Sequence, residues 1–195
     1  VHGSRGLGDV YKRQILEQSV SVEGKPQNHT IQDSINLAVK AEKLGYKRFW
    51  VSEHHNHPTI IGSAPEVLMA AIATKTKTIR IGSAGIMLPH YAPFKVAEQF
   101  RVLEAIAPGR IDLGLGRAPG SDGRTALALN PNSREDSEQF PGNVRDLIAW
   151  VSNEKPLEGH PFRHLTAQPE SETYPEVWIL GTSNYGAQLL SLIHI

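Results

Sequence analysis

Short β-branched runs alternate with longer stretches of helical period through the middle of this chain, and that alternation restricts the fold to repeated βα units around a parallel sheet. Ile15 and Leu16 read as the remnant of a first strand. Ile31, Ile35, Ala38, Ala41 and Leu44 recur at three- and four-residue spacing, with Thr30 and Asp33 near one end and Gly45 past the other, which predicts a capped amphipathic helix. Residues 48–52 form the second predicted strand. Ser63 and Glu66 stand at capping-box spacing around Pro65 and open a helix that runs to about Lys75. The third strand is IRIGSAGIML. After it comes a helix from near Pro93, with Val96, Ala97, Phe100, Leu103 and Ile106 on its buried face and Pro108-Gly109 at its end. Residues 110–116 are the fourth strand, 120–132 a polar stretch, 134–151 one further helix, and 153–175 a long excursion without period. PEVWILGTS is the fifth strand, and a new helix opens at Tyr185.

The flanks read differently. Residues 1–14 are rich in Gly and charge and read as a non-native or disordered leader, and 191–195 as a non-native tail, which leaves a domain from 15 to 190. At 195 residues the chain fits one domain but sits at or below the lower limit for a closed eight-stranded β/α barrel. Its 20 basic and 20 acidic side chains cancel without a basic cluster, which argues for a small-molecule partner and against nucleic acid or an anionic membrane. With no cysteine, chemistry falls to His, carboxylates and bound cofactors. No apolar run approaches the roughly 18 residues of a membrane span, so the expected location is the cytoplasm.

The polar residues gather at the carboxyl ends of the predicted strands: Glu53, His54 and His55 after the second, Ala84-Gly85 at the third, Arg117 after the fourth, and Gly181-Thr182-Ser183 after the fifth. In a parallel sheet or barrel those ends share one face, where β/α enzymes assemble their sites. The EHHNH run offers imidazoles for proton transfer, for hydrogen bonding to an oxyanion, or for a metal. Strand alternation lets His55 and His57 chelate together while His54 points away, although the other strand ends supply no carboxylate to complete a metal site. The small residues of SAGIMLP mark close backbone approach or a barrel corner. GLGRAPG misses the dinucleotide fingerprint by one residue, and Arg117 suits a phosphate or pyrimidine carbonyl as well as a surface ion pair. GTSNYG has the residue types of a phosphate-binding helix start and equally of an ordinary cap.

The runs FWVSEHHN, SAPEVLMAAIATKTKTIRIGSAGIMLPHYAPFKVAEQFRVLEAIAPGRIDLGLGRAPG and PEVWILGTSNYGAQL together resemble the bacterial luciferase-like monooxygenases, in the group that carries GLGRAPG. The resemblance implies a TIM (β/α)₈ barrel, here truncated to about its first five βα units, with FMN at the carboxyl ends of the strands. It implies reduced FMN delivered by a partner flavin reductase, O₂ and a small organic substrate as reactants, and a homodimer. His54 matches the histidine that acts beside the flavin, His55 its orienting neighbour, and Glu53 lies in the same lobe of the pocket. Ala84-Gly85 matches a non-proline cis peptide under the isoalloxazine ring. Arg117 and Thr182, with backbone from Ser183 through Tyr185 to Gly186, match phosphate-binding positions. Relatives in the same superfamily include dehydrogenases that use a deazaflavin and a non-catalytic luciferase subunit. A metal-dependent hydrolase built on the histidines is the alternative that the residues alone leave open. The last three strands of the barrel have no counterpart here, so an unpaired sheet edge and an incomplete flavin pocket are expected.

Overall fold

The structure, a computed structural model, describes residues 14–118 and 121–181. Six strand segments form one parallel sheet: β1 (Gln14–Glu17), β2 (Arg48–Val51), β3 (Arg80–Ser83), β4 (Ile86–Met87), β5 (Ile111–Gly116) and β6 (Glu176–Leu180). Gln14 therefore belongs to the first strand and not to the leader. β3 and β4 are two halves of the predicted third strand, parted at Ala84-Gly85, and both pair with β5, at Ile81↔Ile111 and at Ile86↔Leu115. Counting β3 and β4 as one, the order is β1, β2, β3/β4, β5, β6, so each strand lies beside its predecessor. A sheet that advances in one direction with helical crossovers is the plan of a (β/α) barrel; a doubly wound sheet reverses at its centre.

The connecting helices are α1 (Gln27–Lys43), α2 (Pro65–Lys75), α3 (Pro93–Ile106), α4 (Gly123–Leu129), α5 (Ser133–Glu138) and α6 (Phe140–Val151). α1 starts a turn earlier than its apolar period suggests. Pro26 precedes it and no side chain caps it, so Thr30 lies inside the helix on its buried face. The Ser63–Glu66 capping box does not form either: Ala64 is the N-cap, Pro65 opens the helix, and Glu66 accepts from Gln99 on α3 instead. The polar stretch 120–132 contains a helix, α4, because Asp122 accepts from the backbone N–H groups of Arg124 and Thr125. The single helix predicted over 134–151 is two, with Gln139 ending α5 and preceding α6, since Pro141 has no N–H to continue the ladder.

Phe49, Val51, Ile81, Ile111, Leu113 and Leu115 point from the strands into one core shared with Ala38, Met69, Ile72, Val96, Phe100, Val144 and Leu147 of the helices. The 153–175 excursion is held by Arg101 of α3, whose fully buried guanidinium donates to the carbonyls of Val151 and Pro169 and to Asn153 Oδ1.

The opposite face of the sheet, the barrel interior in this strand order, carries charge at its amino-terminal end. Asp112, with no exposure, accepts from Arg48 Nε at 3.1 Å, Arg80 Nη2 at 2.6 Å and Trp50 Nε1 at 2.8 Å, and both arginines also reach Glu176. Four strand segments are thereby tied at one level. Trp50 packs edge-on against Trp178 at 5.3 Å. Glycine makes room for this layer: a Cβ on Gly82 would stand 2.5 Å from Trp50 Nε1, and one on Gly114 would stand 2.1 Å from the Ser83 carbonyl oxygen.

Two substitutions test this interior. Asp112→Ala leaves two guanidinium groups without their buried partner and is expected to cost about 3–5 kcal/mol of stability in urea denaturation. Gly114→Ala, whose methyl meets backbone that cannot rotate away, is expected to cost about 3 kcal/mol or more by the same measurement.

Candidate functional site at the carboxyl ends of the strands

The chain leaves β2 at Val51 and turns through Ser52 to Asn56, which has a positive φ of 51°. Once the extended geometry ends, alternation no longer decides where side chains point. Glu53 is completely buried. Its Oε1 accepts from His55 Nε2 at 2.7 Å and from the Tyr91 phenol at 2.7 Å, and its Oε2 from the Met87 backbone N–H at 3.0 Å. Glu53, which the resemblance places in the flavin-pocket lobe with His54 and His55, spends its carboxylate on protein donors. It clasps the β2 loop to β4 and to the turn after it.

His55 is nearly buried beside Glu53, and its ring meets that of His90 edge-on at 5.9 Å. His57 faces elsewhere: its Nδ1 accepts from the backbone N–H groups of Thr59 at 3.2 Å and Ile60 at 3.0 Å, and its ring lies 6.2 Å from that of His54. The expected His55–His57 chelate therefore does not form, because the turn at Asn56 separates the two side chains. Among the described residues no group of three or more His, Asp or Glu side chains is disposed to hold a metal ion.

His54 is half-buried, with Nδ1 3.3 Å from Ser52 Oγ and its backbone N–H on the Gly62 carbonyl. Burial, followed by the neighbouring His57 and His55, holds its pKa below the usual imidazole range, against the opposing pull of Glu53. A neutral imidazole offers one donor and one acceptor nitrogen at neutral pH. Burial also raises the Glu66 carboxyl on α2, with the Glu53 charge adding to it, and pushes the Tyr91 phenol well above the ordinary tyrosine range.

The Ala84-Gly85 peptide bond is cis, the geometry that the resemblance implied. It lies where β3 gives way to β4, with Gly85 packed close to the Gly114 carbonyl and Leu180, in line with the other strand ends. Arg117 follows β5, is exposed, and donates Nε to the Ser137 carbonyl at 3.0 Å, which ties it to α5. Gly181 follows β6 and is exposed. Thr182, Ser183, Tyr185 and Gly186 lie outside the described residues. Asn56 Nδ2 donates to Asp122 Oδ2 at 3.2 Å, so the loop after β2 and the segment after β5 meet above the sheet.

Three contributors went unread in the sequence: Tyr91, His90 and the Met87 N–H. All follow the SAG segment, and the signal available was a Tyr and a His within LPHY directly after a predicted strand end.

This arrangement is a β/α-barrel site, assembled from loops after successive parallel strands and centred on buried imidazole and carboxylate groups. Residues 15–190 match the family model for luciferase-like monooxygenases, and the chain belongs to that family. YwcH of Bacillus subtilis (strain 168) is 50% identical over 175 residues, covering 90% of this chain and 52% of that protein. The N-acetyl-S-alkylcysteine monooxygenase of the same organism is 43% identical over 173 residues, covering 89% and 52%. The crystal structure of apo-MsnO8 superposes with a TM-score of 0.82 at 40% identity, covering 92% of this chain and 52% of that one. The chain spans about half the length of the relatives it matches.

The depressed His54 pKa has a consequence for stability. The unfolded chain binds that proton first, so this contribution is complete above the ordinary value of 6.5 and is lost as pH falls below it towards the folded-state pKa. Replacing His57 with Gln removes one of the imidazoles that lower it, and the His54 midpoint is expected to move upward in an NMR titration.

Proposed function

We propose that this chain carries the flavin-side half of a monooxygenase that uses reduced FMN and O₂ to oxidise a small organic substrate. The observation that carries this reading is the gathering of His54, the cis Ala84-Gly85 peptide and Arg117 at the carboxyl ends of neighbouring strands, in a chain of the luciferase-like monooxygenase family. The donor set fits a flavin mononucleotide in kind. Arg117 supplies a guanidinium for a phosphate or carbonyl oxygen, His54 supplies a neutral imidazole, and the exposed Gly181 begins a segment with hydroxyl and backbone donors at Thr182, Ser183, Tyr185 and Gly186. When bound, reduced flavin supplies the electrons that let O₂ deliver one oxygen atom to a substrate.

The chain's own residues then have distinct tasks. His54, kept uncharged by its depressed pKa, would donate a hydrogen bond from its protonated ring nitrogen to the reacting oxygen or accept a proton at the other nitrogen. His55, anchored on Glu53, backs the adjoining wall. The Glu53 clasp holds the histidine loop to β4 and the Asn56–Asp122 contact ties it to the segment after β5, and together they fix where the imidazoles stand.

A flavin reductase as supplier of the reduced cofactor and a second copy of the chain as partner belong to the same proposal. The surface groove between α2 and α3, about 500 Å³, supports a homodimer because Val67, Val102 and Ile106 face outward there beside Lys95 and Glu98.

Anaerobic titration of the chain with reduced FMN, followed by flavin fluorescence, is expected to show saturable binding that Arg117→Ala weakens about tenfold or more. Absence of binding overturns the reading. With substrate and O₂ present, His54→Ala is expected to keep flavin binding and to lower product formation by about 10²-fold or more.

A further inference from the structure

The Glu53 carboxylate is shared unevenly between its donors. Oε2 takes the Met87 N–H alone, while Oε1 takes both the Tyr91 phenol and His55 Nε2, each at 2.7 Å. The two side chains arrive from separate places: His55 on the loop after β2, and Tyr91 36 residues later, between β4 and α3. His90 fills the angle between them, its ring edge-on to His55 at 5.9 Å and to Tyr91 at 6.2 Å.

We propose that Tyr91 is a positioning residue of this site: its phenol, acting through Oε1 of Glu53, sets the strength with which Glu53 holds the His55 imidazole. The argument is geometric. A carboxylate only accepts, so His55 meets it with a protonated Nε2 and presents Nδ1, as an acceptor, on the opposite side of the ring. Two donors on one oxygen compete for it, and whatever density the phenol draws is withheld from the imidazole. Because Glu53 has no exposure, these protein donors, and not bulk water, satisfy its carboxylate. The raised pKa of the phenol, caused first by burial and then by the Glu53 charge, keeps Tyr91 a donor across the working range of the protein. Met87 supplies the third hold, so the same carboxylate that orients His55 also fixes the backbone at β4.

A merely packed tyrosine has no such effect. The groups that face His55 are Glu53 on its own loop, His54 beside it, His90 and Tyr91 from the segment after β4, and Glu66 from α2. Only Tyr91 can be altered here by a single oxygen while its ring stays in place. The catalytic meaning of this arrangement rests on the flavin-site reading above, but the arrangement itself does not.

The test is a ¹⁵N-imidazole NMR titration of the chain without flavin, with the His55 signals assigned by their loss in His55→Gln. The wild-type chain is expected to show His55 protonated at Nε2 when neutral. Tyr91→Phe removes the competing donor, strengthens the Glu53–His55 pair and is expected to raise the His55 midpoint by about half a pH unit or more. 3-Fluorotyrosine introduced at position 91 is a more acidic and stronger donor of nearly the same shape, and is expected to move the midpoint the other way. An unmoved His55 midpoint in Tyr91→Phe, with the far-UV circular dichroism unchanged, overturns the proposal. If Tyr91→Phe does not fold, an unmoved midpoint in the fluorotyrosine protein overturns it equally. Since no flavin is present, failure of FMN binding leaves this result standing, and an unmoved His55 leaves the flavin titration standing.

Discussion

One buried carboxylate organises the amino-terminal end of the sheet. Asp112 accepts from Arg48 and Trp50 of β2 and Arg80 of β3, and the two arginines carry the contact on to Glu176 of β6. Without exposure, Asp112 depends on those donors to remain there, and they in turn hold the inward faces of four strands at one level. The pairing of β2 with β3 and of β5 with both β3 and β6 follows the same level, so the opposite strand ends also emerge together. Glu53 does at the carboxyl end what Asp112 does at the amino end: it joins β2 to β4 across a gap that backbone pairing does not bridge directly. The candidate site lies at the Glu53 end.

The strands and most of the helices were legible from the chain, because they depend on local period and on turn residues such as Gly45 and Gly109, both with positive φ, whereas the barrel order of the strands came from the family resemblance. Where sequence expectations failed, a tertiary contact had displaced a local one. Glu66 could have closed a capping box with Ser63, but Gln99 of the neighbouring helix takes its carboxylate. Thr30 looked like a helix start and lies within the helix, on the face turned to the sheet. Pro141 was visible all along, yet the apolar period across 134–151 masked the break that it enforces.

The candidate site was legible as a location more than as a mechanism. The EHH run, SAG and the arginine after GLG were visible as small or polar residues at strand ends. The partners that give them roles were not, because Tyr91 and Glu53 are 38 residues apart and Asp122 and Asn56 are 66 apart. The inner charge layer left a signal that could have been read: Arg48, Arg80, Asp112 and Glu176 each stand at or next to the first residue of a strand, where a helix-covered sheet usually carries apolar side chains.

Asp122 Oδ2 accepts from the Thr125 hydroxyl and from Asn56 of the histidine loop, its Oδ1 from the Arg124 and Thr125 backbone N–H groups at the start of α4, and these bonds, the Thr125 hydroxyl first, hold its carboxyl at about 2. A serine or threonine in its place could start the helix equally well, yet would be too short and too singly disposed to reach the loop. The two elements therefore cannot drift independently. A lineage that exchanges one helix cap for another of the same quality loosens the histidine loop without touching a histidine, so divergence in the segment after β5 becomes a route by which the opening of the site can be retuned.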